Sequence, residues 1–289
     1  MRNIFFICLF GLLSIPAHAV KILENQLPFI HYLSLPIQSA GQDLTLSGEF
    51  RLPRDPEVEQ FPAVIVLHSS GGVDSTGRLY IKALNNAGIA TFELDMWGAR
   101  GLSGGTADRP ATVQETLADA FAALEFLAQR EDIDADRIGV LGFSWGGVLS
   151  LLTATEAYNA ISGTDVRFAG HVAHYPVCWA YNVLPGFEFS NLTGSPVMIQ
   201  SGELDDYDVP GICEGMVAGL AASDQELVDL KMYENAYHAW DRLEPALVVE
   251  DPFAHLGQGG IVNLVPDQKL AKKSRKRVVR FFKTLFDLD

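Results

Sequence analysis

Cysteine is scarce in this 289-residue chain: there are three, and Cys8 lies within an N-terminal apolar run, leaving only Cys178 and Cys213 beyond it. No C-x-x-C pair, no H-E-x-x-H and no P-loop lysine motif is present, so the residues support neither a zinc site nor a nucleotide site, and no metal or other cofactor is expected. Positive charge is also short, with 21 Lys and Arg against 36 Asp and Glu and a formal net charge of −15. Nucleic-acid binding rests on neutralising phosphates with cations, so this balance argues against a nucleic-acid partner. No repeat and no low-complexity linker divides the chain.

What is present begins with Arg2, an apolar run from Ile4 to Leu13, and Ala17-His18-Ala19, a small-x-small pattern. This reads as a secretory signal peptide over residues 1–19, cleaved after Ala19, with an uncleaved N-terminal anchor as the alternative. The expectation is a secreted or periplasmic protein with no stable membrane anchor after cleavage. Residues 20–289 then form one large domain. In an oxidising compartment the even pair Cys178 and Cys213 suggests a disulfide, the alternative being two separate buried thiols.

The remaining segments alternate between strand and helix signals. Asp43 to Leu52 alternates polar and apolar, as an antiparallel edge strand with one wet face would. Ala63 to His68 is continuously apolar and reads as a strand covered on both faces. A helical run from Leu79 to Ala87 follows, then a second buried strand at Ile89 to Leu94, a glycine-rich loop at 98–105 and a helix at Val113 to Arg130. Further strands are expected at Phe168 to His174, Val197 to Gln200 and Leu227 to Tyr233. Eight basic residues lie between Lys269 and Lys283, but Leu270, Val278, Phe281, Phe282 and Leu285 recur at helical spacing, so this segment is expected to pack on the sheet rather than serve an anionic surface. The fold class is therefore α/β, a mostly parallel sheet with helices on both faces. In such sheets function gathers at the carboxyl ends of the strands.

Arg137 to Leu152 reads as strand, sharp turn, helix, with Gly142-Phe143-Ser144-Trp145-Gly146 at the turn. Such a turn lifts a serine hydroxyl off the sheet, and glycines on either side remove side chains that would clash there. Ser144 is the candidate nucleophile, and the N–H of Trp145 at the helix start is a candidate oxyanion donor. Gly101-Leu102-Ser103-Gly104-Gly105 has the same spacing, but no buried strand precedes it and no helix follows, so Ser103 is read as a loop residue.

A nucleophilic serine needs a base and a carboxylate that orients it. Gly202-Glu203-Leu204-Asp205-Asp206-Tyr207-Asp208 follows one expected strand, and Tyr237-His238-Ala239-Trp240-Asp241 follows another. His238 is the candidate base. Asp205, Asp206 and Asp208 are all possible acids on position alone. The chain order serine, acid, histidine is that of α/β-hydrolases. His171 and His174 alternate along an expected strand and read as structural, and His68 is expected to pack beneath the loop after it.

The motifs VLHSSGG, DMWGARG, GFSWGG, YPVCW, GELDDYDVP and YHAWD, in that order, resemble the dienelactone hydrolase family of α/β-hydrolases, in the branch with a serine nucleophile. Serine stands here where the founding enzymes of the family carry cysteine. The resemblance implies an α/β-hydrolase fold with Ser144, Asp205 and His238 as the triad. It implies Ser70 beside Trp145 in the oxyanion hole. Trp97 and Arg100 match a family motif near the pocket, where the arginine would hold a carboxylate-bearing substrate or brace its loop.

The expected activity is hydrolysis of small carboxylic esters or lactones through an acyl-enzyme. A peptidase or amidase on the same scaffold and a non-catalytic binding protein are the alternatives. The connection after YPVCW is too short for a large cap, which leaves the loop expected from Asp251 to Asp267 as the insertion that could shade the pocket.

Overall fold

Continuous apolar runs form the centre of the sheet. In the computed structural model, which describes residues 27–288, every residue of the third strand, β3 (Phe61–Leu67), is buried. The expected signal peptide and its cleavage site after Ala19 lie outside the described residues. In chain order the elements are β1 (Phe29–Ser39), β2 (Gln42–Leu52), β3, α1 (Ser75–Asn85), β4 (Ala90–Asp95), α2 (Leu117–Ala128), β5 (Ile133–Phe143) and α3 (Trp145–Leu152). They continue with the single turn α4 (Glu156–Asn159), β6 (Gly170–His174), β7 (Val197–Gly202), α5 (Ile212–Ala218), the single turn α6 (Ala222–Gln225) and β8 (Val228–Tyr233). The hairpin strands β9 (Leu247–Asp251) and β10 (Gly260–Leu264) flank the short α7 (Ala254–Gly257), and α8 (Gln268–Leu285) ends the fold.

Eight strands form one sheet in the order β1-β2-β4-β3-β5-β6-β7-β8. β4 through β8 run parallel across the sheet, while β2 is antiparallel to both β1 and β4. The two faces carry different helices because strand side chains alternate. Ala63, Ile65 and Leu67 of β3 pack with Phe121 and Leu124 of α2 and with Val148 and Leu149 of α3. Val64 and Val66 point the other way, into a cluster with Tyr80 and Leu84 of α1 and Val278 and Phe282 of α8. The basic segment is thus a packed helix: Val278 and Phe282 are buried while Lys272, Lys276 and Arg280 are exposed.

Three expectations change. The strand at Asp43 to Leu52 is not the sheet edge, because β1 pairs with it along its full length from Phe29↔Leu52 to Ser39↔Gln42. β1 is mostly exposed, but Leu33, Leu35 and Ile37 alternate toward the core, Leu35 buried and the other two half-buried against it. The helix expected from Val113 begins as a 3₁₀ turn at Val113–Thr116, capped by reciprocal bonds between Thr112 and Glu115, before α2 proper. The segment from Asp251 to Asp267 is largely ordered as hairpin and turn rather than loop. Among the described residues no helix is long and apolar enough to cross a membrane.

Candidate active site

The turn between β5 and α3 is forced by close backbone packing. A Cβ on Gly142 would fall 1.8 Å from the carbonyl oxygen of Gly146, and one on Gly146 would fall 2.2 Å from that of Leu67. Between them Ser144 has φ 49° and ψ −107°, a conformation that costs a non-glycine residue about 1–3 kcal/mol. The surroundings hold it there: Ser144 N–H donates to the His174 carbonyl at 3.0 Å and Gly146 N–H to the His68 carbonyl at 3.1 Å. Trp145 opens α3, so its N–H has no acceptor within the helix and stands at the positive end of the helix dipole.

The loops after β7 and β8 deliver two more side chains to the same end of the sheet. His238 Nε2 lies 2.9 Å from Ser144 Oγ, and His238 Nδ1 lies 2.7 Å from Asp205 Oδ2. The imidazole sits between the rings of Tyr175 and Tyr207, each at 4.6 Å between centroids. Asp205 Oδ1 accepts from the Tyr207 N–H at 3.0 Å, which fixes the carboxylate's orientation. All three polar side chains are buried. The two other carboxylates of this loop are engaged elsewhere. Asp206 Oδ2 accepts from the backbone and side-chain nitrogens of Asn263. Asp208 accepts from the backbone N–H groups of Cys178 and Trp179 at 2.9 and 2.8 Å. Burial pushes the Asp208 carboxyl up to about 7, and the nearby Asp205 charge adds to that shift.

Cys178 and Cys213 form a disulfide, 35 residues apart in sequence. It ties the turn Cys178–Ala180 to α5, just past the Asp205 loop. Among the described residues Cys178, Asp208 and Cys213 are the one grouping with metal-ligand spacing, and the disulfide already bonds both sulfurs to each other.

Behind His238 lies a second histidine–carboxylate pair that sequence reading did not anticipate. His174 Nδ1 is 2.9 Å from Asp241 Oδ2, and both side chains are fully buried. Tyr80 donates to Asp241 Oδ2 at 2.7 Å and Tyr175 to Oδ1 at 2.6 Å. Gln200 Nε2 donates to His174 Nε2 at 2.9 Å, which leaves the proton of this histidine on Nδ1, toward Asp241. The network fixes Tyr175, which packs on His238, and the strand whose His174 carbonyl holds the elbow. His68 is also structural. Its Nε2 accepts from the Met96 N–H, and burial lowers its pKa to about 4.

Two cavities meet at Ser144. One is walled by Val113, Trp145, Val148, Val177, Phe187 and Phe253. The other is bordered by His238 and by the polar groups Asp74, Thr76, Arg242 and Glu244. Ser70 borders both, and its carbonyl is pinned by the indole N–H of Trp97 at 3.1 Å and the N–H of Gly105. The hairpin segment does shade the site, through Phe253 on one side and Val249 and Leu264 on the other.

Of the two readings left open for Arg100 beside Trp97, holding a substrate or bracing the loop, the contacts favour bracing. Neither residue lines a cavity at Ser144. Arg100 makes a two-bond pair with the fully buried Asp119, at 2.7 and 3.0 Å, and also donates to the Met96 carbonyl and to Ser39 Oγ, so it braces its loop. Trp97 packs edge-on against His68 and Trp145 and steadies the Ser70 peptide. The arginine lining the apolar cavity is Arg109, whose Nη2 is 3.0 Å from both carboxylate oxygens of Asp251, itself bonded by Tyr207 Oη at 2.8 Å. Arg109 and Asp251 are 142 residues apart and neither belongs to a motif, so nothing in the sequence marks them as partners.

A family model described as the dienelactone hydrolase family matches residues 50–286. Among curated relatives, a Mycobacterium tuberculosis protein of uncharacterised function is 29% identical over 176 residues, spanning 58% of this chain and 60% of its own length. A Bradyrhizobium protein named probable 2-oxo-3-(5-oxofuran-2-ylidene)propanoate lactonase is 28% identical over 213 residues, 68% of this chain and 82% of that one. Among solved structures, Thermogutta terrifontis esterase 2, phosphorylated by paraoxon, superposes with a TM-score of 0.58 at 18% identity, over 92% of this chain and 96% of that one.

Proposed function

The chain belongs to the dienelactone hydrolase family and has its α/β-hydrolase fold, and from that premise we propose that it is a serine hydrolase of small carboxylic esters and lactones. The observation that carries the reading is the row Asp205–His238–Ser144, with 2.7 and 2.9 Å between successive heavy atoms. In this reading His238 Nε2 takes the Ser144 proton as Oγ attacks the carbonyl carbon. Asp205, accepting from Nδ1–H, keeps the imidazole in the tautomer that leaves Nε2 free and stabilises the imidazolium that forms. The developing oxyanion is held by the N–H groups of Trp145 and Ser70, a contribution of about 3 kcal/mol for each such donor. The C–O bond to the alcohol then breaks, His238 gives the leaving oxygen its proton, and Ser144 is left acylated. Water, deprotonated by the same imidazole, attacks the acyl-enzyme and releases the acid.

The Cys178–Cys213 disulfide supports the accompanying proposal that the protein works in an oxidising compartment, secreted or periplasmic. The test of function is a panel of aryl esters, lactones and peptide amides on the purified protein beside Ser144→Ala. Ester or lactone turnover should fall by about 10⁶-fold in that variant. Undiminished turnover in Ser144→Ala would overturn the mechanism, and a preference for amides over esters would move the assignment to a peptidase.

A further inference from the structure

The two cavities at Ser144 divide an ester between them, an inference that rests on the serine-hydrolase reading above. His238 must hand its proton to the leaving oxygen, so the alcohol has to lie on the side of the cleft that His238 borders. That side also carries Asp74, Thr76, Arg242 and Glu244, a polar environment suited to a hydroxylated alcohol. The acyl chain is left with the other cavity, which Ser144 and Ser70 border and His238 does not.

The acyl cavity is mostly apolar and carries one charge. Arg109 is the only charged residue among those that line it. Its guanidinium lies 5.6 Å from the Trp145 ring and 5.8 Å from that of Phe253. Its charge is already matched, because both oxygens of the wholly buried Asp251 stand 3.0 Å from Nη2. Tyr207 Oη and the Phe253 N–H hold Asp251 in that position. A neutral chain entering this cavity loses only hydration of apolar surface, which favours binding. An acyl group ending in a carboxylate would lose the hydration of an ion and meet a cation whose partner is built in.

We propose that the Arg109–Asp251 pair makes this cavity a filter for uncharged acyl groups, with Asp251 as the specificity-determining residue acting through Arg109. Removing the Asp251 charge would leave Arg109 unmatched at the cavity wall and admit a terminal carboxylate.

The test compares p-nitrophenyl valerate with the mono-p-nitrophenyl ester of glutaric acid, which differ by methyl against carboxylate at the chain end, with the Ser144→Ala rate as background. The wild type should favour valerate by at least about 100-fold in kcat/KM, the expected penalty for desolvating an unmatched ion. In Asp251→Asn that ratio should narrow by at least about tenfold, through a lower KM for the glutarate ester and with a gain that fades as salt rises. Asp251→Glu, which keeps the charge, should keep the wild-type ratio. Adding Arg109→Gln to Asp251→Asn should abolish the gain. Comparable wild-type turnover of both esters overturns the proposal, whether or not the variants fold. An unchanged ratio in an Asp251→Asn protein of normal melting temperature does so as well. If valerate itself shows no Ser144-dependent turnover, the hydrolase reading fails and this inference falls with it.

Discussion

Replacing Asp205 by asparagine keeps the volume of the side chain and removes its charge. The carboxylate oxygen now 2.7 Å from His238 Nδ1 becomes either an amide oxygen or an NH₂ group. The other oxygen accepts from the Tyr207 N–H, and an amide oxygen is needed there to preserve that bond. The NH₂ group is therefore directed at Nδ1, which must become an acceptor. The ring proton moves to Nε2, facing Ser144 Oγ at 2.9 Å, where a base is required. A histidine in that tautomer cannot take the serine proton, and the expected fall in kcat is about 10⁴-fold. At 1.36 kcal/mol per tenfold this is about 5.5 kcal/mol of lost transition-state stabilisation. The assay is kcat on p-nitrophenyl acetate at neutral pH, with the melting temperature measured on the same samples. Asp206→Asn, whose carboxylate serves Asn263, should stay within about tenfold of wild type. The reasoning is refuted if Asp205→Asn keeps more than about a tenth of wild-type kcat, or if Asp206→Asn is the variant that loses it.

Three further outcomes concern stability. Gly142→Ala places a Cβ 1.8 Å from a backbone oxygen that no rotamer change can move, so the variant should lose more than about 4 kcal/mol and yield little soluble protein; normal yield and melting would contradict the packing described. Cys213→Ser opens a cross-link between residues 35 apart and should cost about 3–4 kcal/mol in denaturant titration, an effect that dithiothreitol should reproduce in the wild type. His171 is buried with its pKa lowered to about 3 by desolvation, so the unfolded chain binds its proton first as pH falls. That stabilisation is complete above about 6.5 and is lost as pH falls from there toward 3; His171→Asn should flatten this acid limb of the melting-temperature profile, and an unchanged limb would contradict the assignment.

How much of this was legible in the sequence depended on whether the determinants were local. The elbow was, because Gly142, Ser144 and Gly146 answer to one turn between a continuous apolar strand and an apolar helix. The order Ser144, Asp205, His238 was also readable, since each residue follows a strand that its own composition marks. Asp205 could be separated from Asp206 and Asp208 only by family resemblance, because all three occupy one turn and differ by where their oxygens point. Strand β1 was hard to read although Leu33, Leu35 and Ile37 alternate toward the core, because Pro36 interrupts that run and the first half of the strand is exposed. The two readings of Arg100, holding a substrate or bracing its loop, could not be separated in the sequence, because its partner, Asp119, looks like an ordinary polar position on an amphipathic helix. Arg109 with Asp251, and His174 with Asp241, were not legible as pairs either. Each pair is joined by the fold across 142 and 67 residues respectively, and although Asp241 closes the YHAWD motif, nothing in the sequence names its partner.

The most direct test of the central claim is intact-mass and peptide mapping of the purified protein after treatment with a fluorophosphonate. The account predicts one phosphonyl adduct per chain, on Ser144, absent from Ser144→Ala and strongly slowed in His238→Gln. An unlabelled wild type, or an adduct that persists in Ser144→Ala, would contradict it.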